Sequence, residues 1–196
     1  MRYYSNRELA GKLGIKLARW KRWSREFLAP DPLGGLQSGY ARQLSIDDAF
    51  TVYLGGHLVN ELKFGIQAAR QVLGDLYTWL GEVKLYETPI YRKTAGDSLY
   101  QQSLTYQIYI TAHDGIRFTY TVRGILDEKV ELLPSGCIRT VRYREQRLGG
   151  RELQADCVTA AGASLLNISS VHTCFLEKLA NHAHDRSALE RSSGRV

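Results

Sequence analysis

The sequence predicts an α+β fold: an all-α N-terminal part, then a small antiparallel β-sheet module with a C-terminal helix. Two observations carry this. Apolar residues recur every three or four positions up to about residue 83 and alternate with polar ones from about residue 104. The turn formers between them, Thr88-Pro89 and the stretch 91–98, mark a break in chain organisation. With 196 residues, 44% of them apolar and 23% charged, the chain is large enough for two small cores. The boundaries read as 1–80 for the helical domain, 81–98 for a linker, 99–185 for the α+β domain and 186–196 for a frayed tail.

Ser5 followed by Glu8 has capping-box spacing, and Leu9 and Leu13 then form a one-sided apolar stripe. Gly14 ends that first helix. A second helix spans Lys16 to about Phe27, with Leu17, Trp20, Trp23 and Phe27 at intervals of three, three and four. Two short helices around a glycine turn form a helix-turn-helix. The Pro30–Gly35 stretch opens a loop, and Gln37–Arg42 reads as a short ribbon or wing. Ser45 with Asp47 and Asp48 starts a third helix running to about Leu62, its middle weakened by Gly55-Gly56. A fourth begins near Ile66 and carries Ala69, Leu73, Leu76, Leu80 and Val83 on one side. Pro89 rules out a sustained coiled coil.

In the second half, Ile108 and Ile110 belong to one alternating set and Phe118, Tyr120 and Val122 to another. A three-residue loop His113-Asp114-Gly115 sets Ile110 opposite Phe118 and Ile108 opposite Tyr120, with every large apolar residue on one face. Further strands are expected near 128–133, 137–147 and 152–159, and a helix from about Ser170 to Asn181.

Several function classes are excluded by composition and spacing. No GxSxG, P-loop, GxGxxG or HExxH is present, so no enzyme and no cofactor is indicated. The cysteines, Cys137, Cys157 and Cys174, lack chelate spacing and read as buried, inert thiols of a reducing, cytoplasmic compartment. The uncharged stretch 157–176 holds too many Ser, Thr and Asn residues for a membrane span. What stands out is charge. Residues 1–42 carry nine Lys or Arg against three acidic residues, which accounts for the whole net charge of +6. So local a positive field attracts a phosphate polymer. Arg139, Arg142, Arg144, Arg147 and Arg151 form a second basic run, best read as a solvated strand face.

Four segments in order resemble the MerR-type winged helix-turn-helix family. They are Tyr4-Ser5-x-x-Glu8-Leu9-Ala10-x-x-Leu13-Gly14-Ile15, Arg19–Leu28, the wing-like Gly39-Tyr40-Ala41-Arg42-Gln43-Leu44-Ser45, and Lys63–Leu73. The resemblance covers about 70 residues and leaves the C-terminal half unassigned. Departures include Lys21-Arg22-Trp23 in place of Arg-Tyr-Tyr, Phe27 in place of Gly, and Pro89 where members continue into a long dimer helix. The resemblance implies a bacterial, sequence-specific transcription regulator that binds double-stranded DNA as a homodimer, with a C-terminal dimerisation or small-molecule effector module. It also implies backbone contacts from the positions of Trp23 and Arg42.

A helix in the major groove reads base edges from near its N-terminus. That gives Lys16, Ala18, Arg19 and Arg22 access to bases, Lys16 and Arg19 sharing a face, while Lys21 and Arg22 suit phosphates. Trp20 reads as core. Trp23 is either core or, if partly exposed, a phosphate donor through its indole N–H. Tyr40 and Arg42 suit a wing tip along the minor groove. Two other readings stay open: an excisionase-like architectural DNA-binding factor, and a protein-interaction or ligand-binding adaptor using the C-terminal sheet. The discriminating observation is whether Arg19, Lys21 and Arg22 are exposed together or are paired with Glu8 and Glu26.

Overall fold

A computed structural model of the chain describes residues 3–31, 42–83, 105–113, 117–133, 136–148 and 162–192. Helices and an antiparallel sheet are both present, so the chain is α+β. Two units divide it: Met1–Tyr86 together with Val171–Val196, and Glu87–Ser170. The expected wing at 37–41, most of the 81–98 linker and the strand at 152–159 lie outside the described residues.

In the helical unit, strand β1 (Tyr4–Ser5) leads into α1 (Asn6–Leu13), then α2 (Leu17–Phe27). Ser5 caps α1, its Oγ accepting from the Glu8 amide at 3.2 Å. Gly14 ends the helix with φ 67°, the left-handed conformation that favours glycine, and its neighbour Ile15 donates back to the Ala10 carbonyl at 2.9 Å. The two-residue strand β2 (Gln43–Leu44) pairs antiparallel with β1, Tyr4 opposite Leu44, a tie absent from the sequence reading. The capping box is complete at α3 (Ile46–Asn60), where Ser45 Oγ accepts from the Asp48 amide and the Asp48 carboxylate accepts from the Ser45 amide.

α3 is the axis of this unit. Ala49, Phe50, Val52, Leu54, Gly55, Gly56 and Leu58 are buried around its circumference, as in a helix enclosed by neighbours rather than lying on a surface. Gly55-Gly56, a weakness in the sequence reading, is where α2 comes closest. A Cβ on Gly55 would lie 2.5 Å from Phe27 Cδ2, and one on Gly56 would overlap the Trp23 ring. The glycines forgo helix propensity to let two aromatic rings lie against backbone. α4 (Ile66–Glu82) buries Ala69, Val72, Leu73, Leu76, Trp79 and Leu80 at the expected helical spacing.

The last helix, α5 (Ile168–Ser192), is longer than the 170–181 expected, and the region read as a frayed tail is helical to Ser192. From Val171 on it belongs to the helical unit, whereas the sequence reading grouped it with the sheet. The reason is aromatic packing. Phe175 packs at a tilt against Phe50 and Tyr53, at 5.3 and 5.4 Å between ring centroids, and His172 meets Phe50 edge-on at 4.9 Å. Lys178 donates to Tyr53 Oη at 3.3 Å, and Lys12 of α1 donates to the Leu179 carbonyl at 3.3 Å.

The sheet unit has strands β3 (Thr105–Ala112), β4 (Phe118–Leu133), β5 (Gly136–Leu148) and β6 (Ala163–Leu166). They pair antiparallel in the order β5-β4-β3-β6. The β3–β4 register differs from the expected one by two residues: Ile110 faces Tyr120 and Ile108 faces Val122. The hairpin closes one residue later, the His113 amide donating to the Arg117 carbonyl at 3.0 Å. A slip of two leaves every side chain on its original face, so Ile108, Ile110, Phe118, Tyr120 and Val122 are still all buried together. β4 runs on through the segment expected as a separate strand, kinked by a bulge between Ile125 and Asp127. β6 was not expected.

Candidate nucleic-acid interface

α2 has two sides. Trp20 is fully buried and its Nε1 donates to Asn6 Oδ1 at 3.0 Å. Trp23 is 6% exposed, and Ser24 is buried beside it. At about 100° per residue these fall on one arc of the helix, while Ala18, Arg19, Lys21, Arg22 and Arg25 occupy the opposite arc and are all exposed. Lys16 is exposed too, but as the N-cap, with non-helical backbone (ψ 128°), so it precedes the helix instead of sharing a helical turn with Arg19.

The structure thus brings Ala18, Arg19, Lys21 and Arg22 onto one open surface, and leaves Lys16 exposed at the N-cap that precedes the helix. To them it adds Arg25, missed in the sequence reading although it lies three residues after Arg22 and four after Lys21. Trp23 does not join them: its ring is enclosed by Gly56 of α3, which makes it an anchor of α2 instead of the partly exposed phosphate donor that was the alternative. Arg42 is half-buried and directly precedes β2, at the base of the β1–β2 ladder. Tyr40 lies outside the described residues.

Glu26, the acidic residue of α2 itself, is engaged elsewhere. Glu26 pairs with Arg70 of α4, Nη2 to Oε2 at 2.9 Å, and the same guanidinium donates from Nε to the Glu26 carbonyl. Among the described residues, none of Lys16, Arg19, Lys21, Arg22 and Arg25 has an ion-pair or hydrogen-bonding partner for its side chain. Four exposed cations along one helix, with Lys16 at its N-cap and no ion-pair partners among the described residues, make a local positive potential.

Three arginines of the sheet contrast with this, whereas Arg144 and Arg147 are exposed without such a partner among the described residues. Arg139 pairs with Glu128 at 2.7 Å, Arg142 with Asp127 at 3.6 Å and Arg123 with Glu145 at 2.8 Å. The Arg123 guanidinium also lies over the rings of Tyr109 and Tyr143, at 4.6 and 4.5 Å. Tyr120 is core, as is its strand neighbour Val122. Among the described residues no cluster of three His, Cys, Asp or Glu side chains is placed to hold a metal, and no helix is long and apolar enough to cross a membrane. Contrary to the expectation of buried thiols, Cys137 is exposed on β5 and Cys174 is half-buried.

Four perturbed groups lie in the helical unit away from the basic face. Burial pushes the pKa values of His57 and His172 below the usual imidazole value. Burial and then the neighbouring Asp48 raise Asp47. Tyr53 is raised by burial, followed by its contact with Cys174. No protein-family model, curated protein or solved structure matches the chain.

Proposed function

We propose that this protein binds double-stranded DNA through α2 and acts as a sequence-specific regulator of the winged helix-turn-helix kind. The observation that carries the reading is the row Arg19, Lys21, Arg22 and Arg25 along α2, with Lys16 at its N-cap. All five are exposed and without ionic partners among the described residues, on a helix whose other side is anchored by Trp20 and Trp23. A helix fixed in this way keeps its cations in register with a groove at little entropic cost. Arg19, in the first turn, suits a bidentate contact to guanine, and Ala18 beside it suits a thymine methyl. Lys21, Arg22 and Arg25, farther along, suit phosphates.

Fluorescence anisotropy with duplex DNA of random sequence, over a salt series, tests the reading. The expected result is log affinity falling linearly with log salt, with the slope shallower by about 0.9 for each phosphate contact removed in an R19A/K21A/R22A variant. A variant indistinguishable from the parent protein overturns the DNA face.

A further inference from the structure

We infer that Arg70 of α4 is a positioning residue for the DNA face: it holds the Glu26 carboxylate away from the α2 cations. This rests on the DNA reading above.

Glu26 is the one acidic residue of α2, and it sits among the cations it would neutralise. It lies one turn after Arg22, at the i,i+4 spacing at which side chains on a helix meet, and next to Arg25. Left free, its carboxylate would pair with Arg22 or stand as a negative charge beside the phosphate backbone. Either costs the face about one effective cation.

The structure shows neither. Both hydrogen bonds of Arg70 go to Glu26, one to the carboxylate at 2.9 Å and one to the backbone carbonyl. The second bond makes the arrangement a directed one: a carbonyl near the C-terminal end of α2 fixes the guanidinium, and the fixed guanidinium fixes the carboxylate. Arg22 is consequently exposed and unpaired among the described residues. The side chains of Arg70 and Glu26 are 44% and 33% exposed, so the pair contributes little to folding. Its effect lies in the potential of the face.

The test is a double-mutant cycle in the full chain, read by anisotropy with random duplex DNA across a salt series. R70A is expected to weaken binding at low salt by roughly three- to tenfold and to reduce the salt slope by about 0.9, as for one lost phosphate contact. E26Q alone is expected to bind at least as well as the parent, and R70A/E26Q to recover its affinity and slope. A merely structural bridge behaves differently, because breaking it from either side then weakens binding and the double variant stays weak. That pattern, or an R70A that binds like the parent, overturns the inference while leaving the DNA reading intact. A parent chain that shows no salt-dependent binding overturns the DNA reading, and this inference with it.

Discussion

Two glycine-to-alanine substitutions, chemically identical and both inside helices, are expected to change stability in opposite directions. At Gly74 in α4 an added Cβ meets nothing within 4 Å. Alanine there gains helix propensity and restricts the unfolded chain, stabilising by about 0.5–1 kcal/mol. At Gly56 in α3 the same Cβ overlaps the six-membered ring of Trp23. That ring is 6% exposed and has no open side to move into, and its helix is held by fully buried Trp20 as well. Overpacking of this kind costs about 1–3 kcal/mol. Subtracting about 1 kcal/mol of propensity gain leaves a net loss of about 1 kcal/mol. The two variants should therefore differ by about 2 kcal/mol, or roughly 4–8 °C in melting temperature at this chain length. Intrinsic fluorescence during urea unfolding is a selective assay, because the three tryptophans, Trp20, Trp23 and Trp79, all lie in the helical unit. A Gly56→Ala variant as stable as Gly74→Ala would refute the close approach of α2 to α3.

Three further outcomes follow from particular contacts. Asn6→Ala removes the acceptor of the Trp20 indole N–H and leaves a donor unpaired in the core, with an expected loss of about 1–3 kcal/mol in the same urea assay; a loss below a few tenths would show that water replaces Asn6. His172 and His57 are kept neutral by burial, so the unfolded chain takes up protons first as pH falls below the ordinary value of 6.5. Their contribution is complete above that value and is lost on acidification. A His57→Gln/His172→Gln variant should therefore show a flatter fall in urea midpoint between about pH 7.5 and 5.5, and an unchanged fall would assign the pH dependence to other groups. Arg123→Met removes the cation between Tyr109 and Tyr143, worth about 1 kcal/mol at a partly exposed position. Amide hydrogen exchange in β4 and β5 should accelerate about fivefold, and unchanged protection would show the stack to be energetically idle.

Much of the helical unit was legible in the sequence because its determinants are local. Ser5, Gly14, Ser45 and the 3–4 spacing of Leu17, Trp20, Trp23 and Phe27 act within a turn or two of themselves, and each stands where the chain pattern put it. The basic row of α2 was legible for the same reason: once a helix is set by its buried residues, its periodicity dictates what lies opposite. Arg25, three residues after Arg22, falls on the same exposed arc by the same periodicity.

What tertiary structure decided concerns residues far apart in the chain. Gly55-Gly56 looks like a defect in a lone helix, and becomes a seat for Trp23 and Phe27 only when α2 lies across it. Glu26 looks like a partner for Arg22 until Arg70, 44 residues later, takes it. The place of α5 from Val171 on was set by Phe50 and Tyr53, more than 100 residues earlier, and no local pattern in α5 names them. The hairpin shows the boundary between the two kinds of information. Alternation settled which side chains face the core, because its period is two. It left the register free to slip by two, and the closing bond from His113 to Arg117 chose it.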